Sequence, residues 1–182
     1  YILSAARTPI GKLNGAFANV PAVDLGGVAI REAIARAGIE PEQIDEVLMG
    51  NVLQAGEGQA PARQAAMHGG VPATVGATTV NKVCGSALKA MIQGAQAITA
   101  GDANVIVAGG MENMSLAPYM LQGARQGLRL GNAPLLDAVV HDGLWCSFES
   151  QHMGNSAEFI ARQFEITREE QDEYALRSHR KA

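Results

Sequence analysis

Aromatic side chains are scarce in this sequence: one Trp, three Tyr and four Phe among 182 residues. A core with so few large plugs must close by near approach of backbones, and 31 Ala with 21 Gly supply the small surfaces for that. Cysteine is equally thin. Two residues cannot build a disulfide framework, so a reducing compartment is expected. A basic excess is missing as well: 14 Lys and Arg against 18 Asp and Glu leave a formal charge of −4. Nucleic-acid binding by bulk charge is thereby excluded, because no cationic surplus exists to displace phosphate counterions. No apolar run approaches the roughly 18 residues that cross a bilayer. The opening Tyr1-Ile2-Leu3-Ser4-Ala5-Ala6-Arg7 also lacks the basic and then apolar segments of a secretory leader. A soluble, cytoplasmic chain with neither nucleic-acid nor membrane partners is expected. It begins on Tyr1 without an initiator Met and stops at Ala182 within a helical pattern, so a piece of a longer protein is expected too.

What is present is a globular pattern. Hydrophobic residues make up 47% and charged ones 18%, which excludes disorder and predicts a substantial core. Tyr1 to Ala6 reads as a first strand, closed by Arg7-Thr8-Pro9. Asp24 is placed to N-cap a helix running to Ala37, with Leu25, Val28, Ala29 and Ile34 near helical spacing and Gly38 as its stop. A single turn follows at 39–43, then a strand from Val47 to Val52 and a short helix from Ala62 to His68. Ala77 to Val83 is rich in β-branched residues and predicts a strand; Ala87 to Ala100 predicts a helix ended by Gly101. Val105 to Ala108 reads as a fully buried parallel strand. Strands alternating with helices at this spacing predict an α/β layer structure of right-handed βαβ units.

After Gly109-Gly110 the texture changes. Residues 114–134 are rich in Gly, Pro, Asn and Met without a sustained period, which places a domain boundary near Glu112. Leu135 to Val140 is apolar, Asp142-Gly143 is a turn signal, and two helical stretches close the sequence. Thr167 and Glu170 have the spacing of a capping box at the start of the second.

Cys84 is the strongest chemical candidate. It lies between a strand and a helix in Thr79-Val80-Asn81-Lys82-Val83-Cys84-Gly85-Ser86-Ala87. A helix start brings unpaired N–H groups and the positive end of the dipole toward the sulfur, which favours a thiolate, the nucleophilic form. The same N–H groups suit a developing oxyanion. The competing reading is a buried cysteine acting as a small hydrophobe. Cys146 has neither a helix start nor a basic neighbour and reads as inert. His68, His141, His152 and His179 share no metal-ligand spacing, so no metal site is expected. His68 suits a helix C-terminus, His141 and His179 a solvated surface, and His152 a structural or surface place where the turn-rich segment meets a helix. The glycines fit neither a dinucleotide nor a P-loop pattern: Gly109-Gly110-Met111-Glu112 has the wrong spacing, and Gly56-Glu57-Gly58 carries an acid that repels phosphate. Met111, Met114, Met120 and Met153 either line an adaptable apolar slot or fill the core.

Five blocks then point to a family. Asn81-Lys82-Val83-Cys84-Gly85-Ser86-Ala87-Leu88-Lys89-Ala90 resembles the acyl-enzyme signature of the thiolases. Arg7-Thr8-Pro9-Ile10-Gly11-Lys12 is similar to that family's opening loop, and Gly56-Glu57-Gly58-Gln59-Ala60-Pro61-Ala62-Arg63-Gln64-Ala65-Ala66 to another of its segments. Gly109-Gly110-Met111-Glu112-Asn113-Met114-Ser115 with Ala117-Pro118-Tyr119 resembles the exit from the first domain. Asp142-Gly143-Leu144 with His152-Met153-Gly154 and Ala157-Glu158 resembles the loop domain of the short-chain, acetoacetyl-CoA type.

The resemblance implies a thiolase-like βαβαβαββ layered half-domain with an incomplete sheet at 1–112, carrying the nucleophile. Part of a mostly helical, substrate-covering loop domain would follow at 113–182. It implies an acyltransferase that interconverts two acetyl-CoA, or acetyl-CoA plus an acyl-CoA, with a 3-ketoacyl-CoA and free CoA. Cys84 would be the acylated nucleophile, its backbone N–H contributing to an oxyanion hole, while Leu144 and Met153 would contact the substrate's pantetheine arm and His152 would lie beside them in the substrate pocket. Coenzyme A would be substrate and product, with no permanently bound cofactor, and the assembly a homodimer or homotetramer. The helix 87–100 would be buried between two sheets, and the strand at 77–80 would pair across a dimer axis. The family's activating histidine, its second cysteine and an oxyanion-hole asparagine come from a C-terminal domain outside this sequence, so turnover by the isolated chain is not expected. Trp145-Cys146-Ser147 departs from the small, polar residues of the family. A longer-chain degradative thiolase and a non-catalytic half-thiolase used for binding or assembly are the alternatives.

Overall fold

Val47-Leu48-Met49 is buried throughout, and the first part of the fold is organised around it. In the computed structural model, which describes residues 1–181, these residues lie in the strand β1 (Glu46–Gly50). β1 is flanked by β2 (Gly76–Val80) and β3 (Ile106–Gly110), both parallel to it, in the order β2-β1-β3. Alternate residues of β1 serve opposite faces, as the period of two in a strand demands. Val47 and Met49 join a core with Ile30 and Ile34 of α1 (Ala22–Ala37) and Ala62, Ala65 and Ala66 of α2 (Pro61–His68). Leu48 joins Val80 and Ala90, the latter on α3 (Ser86–Ala100), with Ile106 and Ala108 against them. Helices therefore cover both faces of a parallel sheet, the arrangement expected of βαβ units.

Small residues set the spacing. On α3 the buried positions are Ser86, Ala90 and Gly94, one stripe at intervals of four. A Cβ at Gly94 would stand 3.1 Å from Ile106 Cγ2, so the helix rests nearly backbone-deep on β3. At the carboxyl end of β1 the approach is closer still: a Cβ at Gly50 would lie 2.6 Å from Ala87 N and 2.7 Å from the Ser86 carbonyl carbon. At the other end, the Asp45 carboxylate accepts hydrogen bonds from Val105 N (3.0 Å) and Asn104 N (2.6 Å), tying β3 to β1. These two donors hold the Asp45 carboxyl below the usual carboxylate range.

Several expectations need correction. Tyr1 to Ala6 is not a strand; no strand lies alongside it among the described residues, and it is held instead along α1 by Ser4 Oγ donating to Ala33 O (2.6 Å) and Arg36 Nη1 donating to Ala5 O (3.2 Å). Asp24 does not cap α1, which starts at Ala22 after Pro21; it lies in the first turn, 2.6 Å from His68 Nδ1. The strand expected from Val105 is not fully buried, because β3 lies at the sheet edge and its residues are half-exposed; the central position belongs to β1. The strand expected to reach Val83 ends at Val80, where the backbone turns into the bend before α3. The outer face of α3 is open within this chain, with Leu88, Met91, Ile92 and Ile98 exposed.

The chain forms two compact units, Tyr1–Gly143 and Leu144–Ala182. That division falls later than the boundary expected near Glu112, because 113–143 is tied to the first unit by polar side chains. Asn113 Nδ2 donates to the carbonyls of Phe17 (2.8 Å) and Val20 (2.7 Å), and Ser115 Oγ accepts from Asn14 N (2.9 Å). This stretch contains the antiparallel pair β4 (Tyr119–Leu121) and β5 (Leu135–Asp137) and all but the last residue of the π-helix Val139–Leu144, so the apolar run to Val140 is strand only in part. The second unit holds a hairpin of β6 (Trp145–Cys146) and β7 (Gln151–His152), followed by α4 (Met153–Gln163) and α5 (Arg168–Lys181). The expected capping box opens α5: Thr167 N donates to Glu170 Oε2 (2.8 Å) and Glu170 N to Thr167 Oγ1 (3.2 Å).

Gly50→Ala forces a methyl group into backbone that cannot yield, and is expected to lower unfolding stability by about 1–3 kcal/mol, the usual cost of overpacking. Gly76→Ala, at the start of β2 with nothing within 4 Å of the new Cβ, is expected to leave stability unchanged or slightly raised. Denaturant midpoints of the two variants check this, and equal midpoints would contradict it.

Candidate functional site

Because the three strands are parallel, their carboxyl ends form a single edge of the sheet. In open α/β sheets that edge is where ligands bind. Here it is marked by Asn51 after β1, Asn81 after β2 and Met111-Glu112 after β3, with Asn51 N donating to Val80 O (3.0 Å) and Met111 N to Gly50 O (2.9 Å). Cys84 lies in the bend that leaves this edge and enters α3.

The bend is tightly specified. Val83 has φ +48°, a left-handed conformation that a β-branched residue rarely adopts. Its N–H donates to Asn81 Oδ1 (3.0 Å), and its carbonyl accepts from Ser86 Oγ (2.6 Å). The buried Ser86 hydroxyl also accepts from Lys82 N (2.8 Å), while Gly85 N donates to Lys82 O (3.0 Å) and Ser86 N to Val83 O (3.1 Å). Asn81 Nδ2 reaches across to Val52 O at 3.4 Å, linking the bend to the loop after β1. Cys84 is thus exposed, as a free thiol, two residues before the first residue of α3. The reading of Cys84 as a buried hydrophobe does not hold, and the helix's partial positive charge lies close in sequence to the sulfur.

Beside the bend is a carboxyl pair that the sequence reading missed. Glu112 braces the loop after β1: its Oε2 accepts from Val52 N (2.9 Å), and its Oε1 from Leu53 N (3.2 Å) and Asn51 Nδ2 (3.2 Å). Burial pushes the Glu57 carboxyl up to about 7, the Glu112 carboxylate adds to the rise, and the Asn51 carboxamide opposes it. Glu57 Oε2 and Asn51 Oδ1 are both buried without a hydrogen-bond partner. A neutral Glu57 relieves that arrangement by removing one of two neighbouring charges. The available signal was positional: an asparagine directly after each of two adjacent strands, and an acid after the third.

A cleft of about 370 Å³ in the first unit is bordered by Arg7, Lys12, Glu112, Met114 and Ser115 among others; Cys84 does not line it. Among the described residues, no group of three His, Cys, Asp or Glu converges where an ion could sit. The remaining candidates belong to the second unit. Trp145 pairs with His152 across the hairpin, and Leu144 and Met153 are the residues that flank this pair in sequence. His152 N-caps α4: its Nδ1 accepts from Gly154 N (3.0 Å), which leaves the ring proton of the neutral imidazole on Nε2. Leu144 is half-buried, His152 and Met153 are exposed, and Cys146 is a half-buried free thiol opposite Gln151. Leu144, His152 and Met153 thus fall at the open end of one hairpin in the second unit, while Cys84 belongs to the other unit.

A family model described as the thiolase N-terminal domain matches residues 1–182. The chain belongs to the thiolase family. The resemblance drawn from the five sequence blocks is thus established, and so is the half-domain fold. Relatives of this thiolase chain include acetyl-CoA acetyltransferases of Cupriavidus necator, 56% identical over 181 residues, and of Escherichia coli, 57% identical over 182. Each alignment takes in 100% of this chain and 46% of the relative. Among solved structures, the Acat5 thiolase of Ascaris suum in complex with coenzyme A superposes with a TM-score of 0.95 at 44% identity, over 100% of this chain and 47% of that one. The chain spans about half the length of the relatives it matches.

The thiolase edge carries a pH signature. Between about 4.5, the ordinary value of a glutamate, and about 7, the folded chain holds a proton on Glu57 that the unfolded chain has released. This contribution to stability is complete below the lower value and is lost as pH rises through the upper one. Glu57→Gln, permanently neutral, is expected to melt with the unsubstituted protein near pH 4.5 and above it at pH 8. Thermal melts at the two pH values check the sign.

Proposed function

We propose that the chain is the nucleophile-bearing part of an acetyl-CoA acetyltransferase. Its reaction takes two acetyl-CoA, or acetyl-CoA and a second acyl-CoA, to a 3-ketoacyl-CoA and free CoA, and runs in reverse. The observation that carries the proposal is the position of Cys84: an exposed thiol on a bend fixed by Asn81 and Ser86, immediately before the start of α3. The naming of relatives at 56% and 57% identity as acetyl-CoA acetyltransferases supports the short-chain subtype over a longer-chain enzyme.

In the first half-reaction the Cys84 thiolate adds to the thioester carbonyl of acetyl-CoA. The S–C bond to CoA then breaks as the carbonyl re-forms, leaving acetyl on Cys84 and releasing CoA thiolate. Covalent capture divides one difficult carbon–carbon bond change into two easier steps and predicts ping-pong kinetics. The backbone N–H of Cys84 is the proposed donor for the tetrahedral oxyanion, those of Lys82, Val83, Gly85 and Ser86 being taken by the bonds that hold the bend. In the second half-reaction the acetyl group passes to the α-carbon of another acyl-CoA, with loss of that carbon's proton, or back to the thiol of CoA. The groups that move this proton, a histidine and a second cysteine in the thiolases, lie outside the 182 residues. These residues alone do not complete turnover.

Leu144 and Met153 are the residues proposed to hold the pantetheine arm, with His152 beside them in the substrate pocket. Their place at the open end of one hairpin supports this, with the His152 Nε2–H left to donate. Coenzyme A is substrate and product, and no resident cofactor or metal is proposed. The unit is proposed to act as a homodimer or homotetramer, which the outer edge of β2, unpaired among the described residues, supports, and to work in the cytoplasm in fatty acid metabolism. No helix among the described residues is long and apolar enough to cross a membrane.

Intact-mass measurement on the full-length protein with acetyl-CoA is expected to show one acetyl adduct that disappears in Cys84→Ala and persists in Cys146→Ala. An adduct that survives Cys84→Ala, or none at all, would sink the proposal.

A further inference from the structure

The residue before the candidate nucleophile is the most constrained in the bend. Val83 occupies the left-handed region, which its branched Cβ disfavours, so other groups must hold it there. Two side chains do so from opposite sides of the residue. Ser86 Oγ donates to the Val83 carbonyl, and Asn81 Oδ1 accepts from the Val83 amide. They differ in what stands behind them. Ser86 is the first residue of α3 and moves with the helix. Asn81 is anchored to the sheet edge, because its Nδ2 donates to Val52 O, and the Val52 and Leu53 amides are in turn held by the Glu112 carboxylate. The Asn81 carboxamide is therefore the link by which the loop after β1 sets the backbone one residue ahead of Cys84.

We propose that Asn81 is a positioning residue for acyl transfer: by holding the Val83 amide in the left-handed bend, it fixes the direction from which the Cys84 thiol meets a thioester carbonyl. This rests on the acyl-cysteine reading of Cys84. Asn81 itself touches no reacting atom. Its loss leaves the thiol in place but lets the backbone leave the strained basin, so attack geometry suffers while affinity for the CoA carrier does not. Near-attack alignment is sensitive to shifts on the order of 1 Å.

The test uses the full-length protein and two variants. In Asn81→Ala, hydrogen exchange at the Val83 amide is expected to rise at least tenfold. The rate of Cys84 acetylation at saturating acetyl-CoA is expected to fall at least tenfold, with the half-saturating concentration changing less than twofold. Asn81→Ser keeps an acceptor oxygen for the amide two residues on, and is expected to recover at least threefold of the lost rate together with exchange protection. A merely structural role would lower stability without separating rate from half-saturation. Acetylation within twofold of the unsubstituted rate in Asn81→Ala overturns the proposal. So does a rate loss without faster exchange at Val83, an equal loss in both variants, or disappearance of the unfolding transition in both. If the unsubstituted protein forms no acetyl adduct, the acyl-cysteine reading fails first and takes this inference with it; an adduct present there and unaffected in Asn81→Ala removes this inference alone.

Discussion

Everything at the carboxyl edge of the sheet depends on one contact, the seating of the first turn of α3 against the end of β1. Gly50 presents bare backbone to Ser86 and Ala87, and a Cβ there would come within 2.6 Å of a peptide nitrogen. Gly110 at the end of β3 meets the same turn, where a Cβ would stand 2.7 Å from Ala87 Cβ. Two glycines on two strands thus allow the helix to start at the sheet itself rather than above it. The thiol that precedes the helix is delivered to the edge by backbone thickness alone. The shortage of aromatics is the same fact seen in composition, because bulky plugs between these layers would lift the helix away.

Polar side chains then hold what the close packing brings together. Asn51, Asn81 and Glu112 follow three adjacent parallel strands, and their hydrogen bonds run along the edge from Leu53 to Val83. Such a network is worth most where water is partly excluded. Glu57 shows the accompanying cost: a second acid near Glu112 stays neutral up to about pH 7, because burial disfavours its charge and Glu112 repels it. The carboxyl cluster and the cysteine bend are parts of one edge, and Val52 belongs to both, its amide bound to Glu112 and its carbonyl to Asn81.

The legible parts of the chain were those governed by local rules. Gly38 and Gly101, both left-handed, end α1 and α3 as the stop signals require. Thr167 and Glu170 form their capping box, and the place of Cys84 before α3 followed from a β-branched run giving way to Cys-Gly-Ser. The failures were those of long-range arrangement. Tyr1 to Ala6 has the composition of a strand, but strand is a property of pairs, and composition does not reveal whether a neighbour is available. Val105 to Ala108 looked central because it is apolar; sheet order, which periodicity does not encode, gave the centre to Val47-Leu48-Met49. Asn113, some 90 residues from the Phe17 and Val20 carbonyls it binds, keeps 113–143 with the first unit. Glu57 in the sequence is no more than an acid that repels phosphate, because its closeness to Glu112 arises only after folding.

The branched side chain at position 83 has a further consequence. A glycine would tolerate the same bend and many others besides, and the segment would drift among them. Valine offers no such latitude: its own conformational preference opposes the bend, so the surrounding hydrogen bonds, and not the residue itself, hold position 83 where it is. Intolerance built into one residue becomes precision in the next.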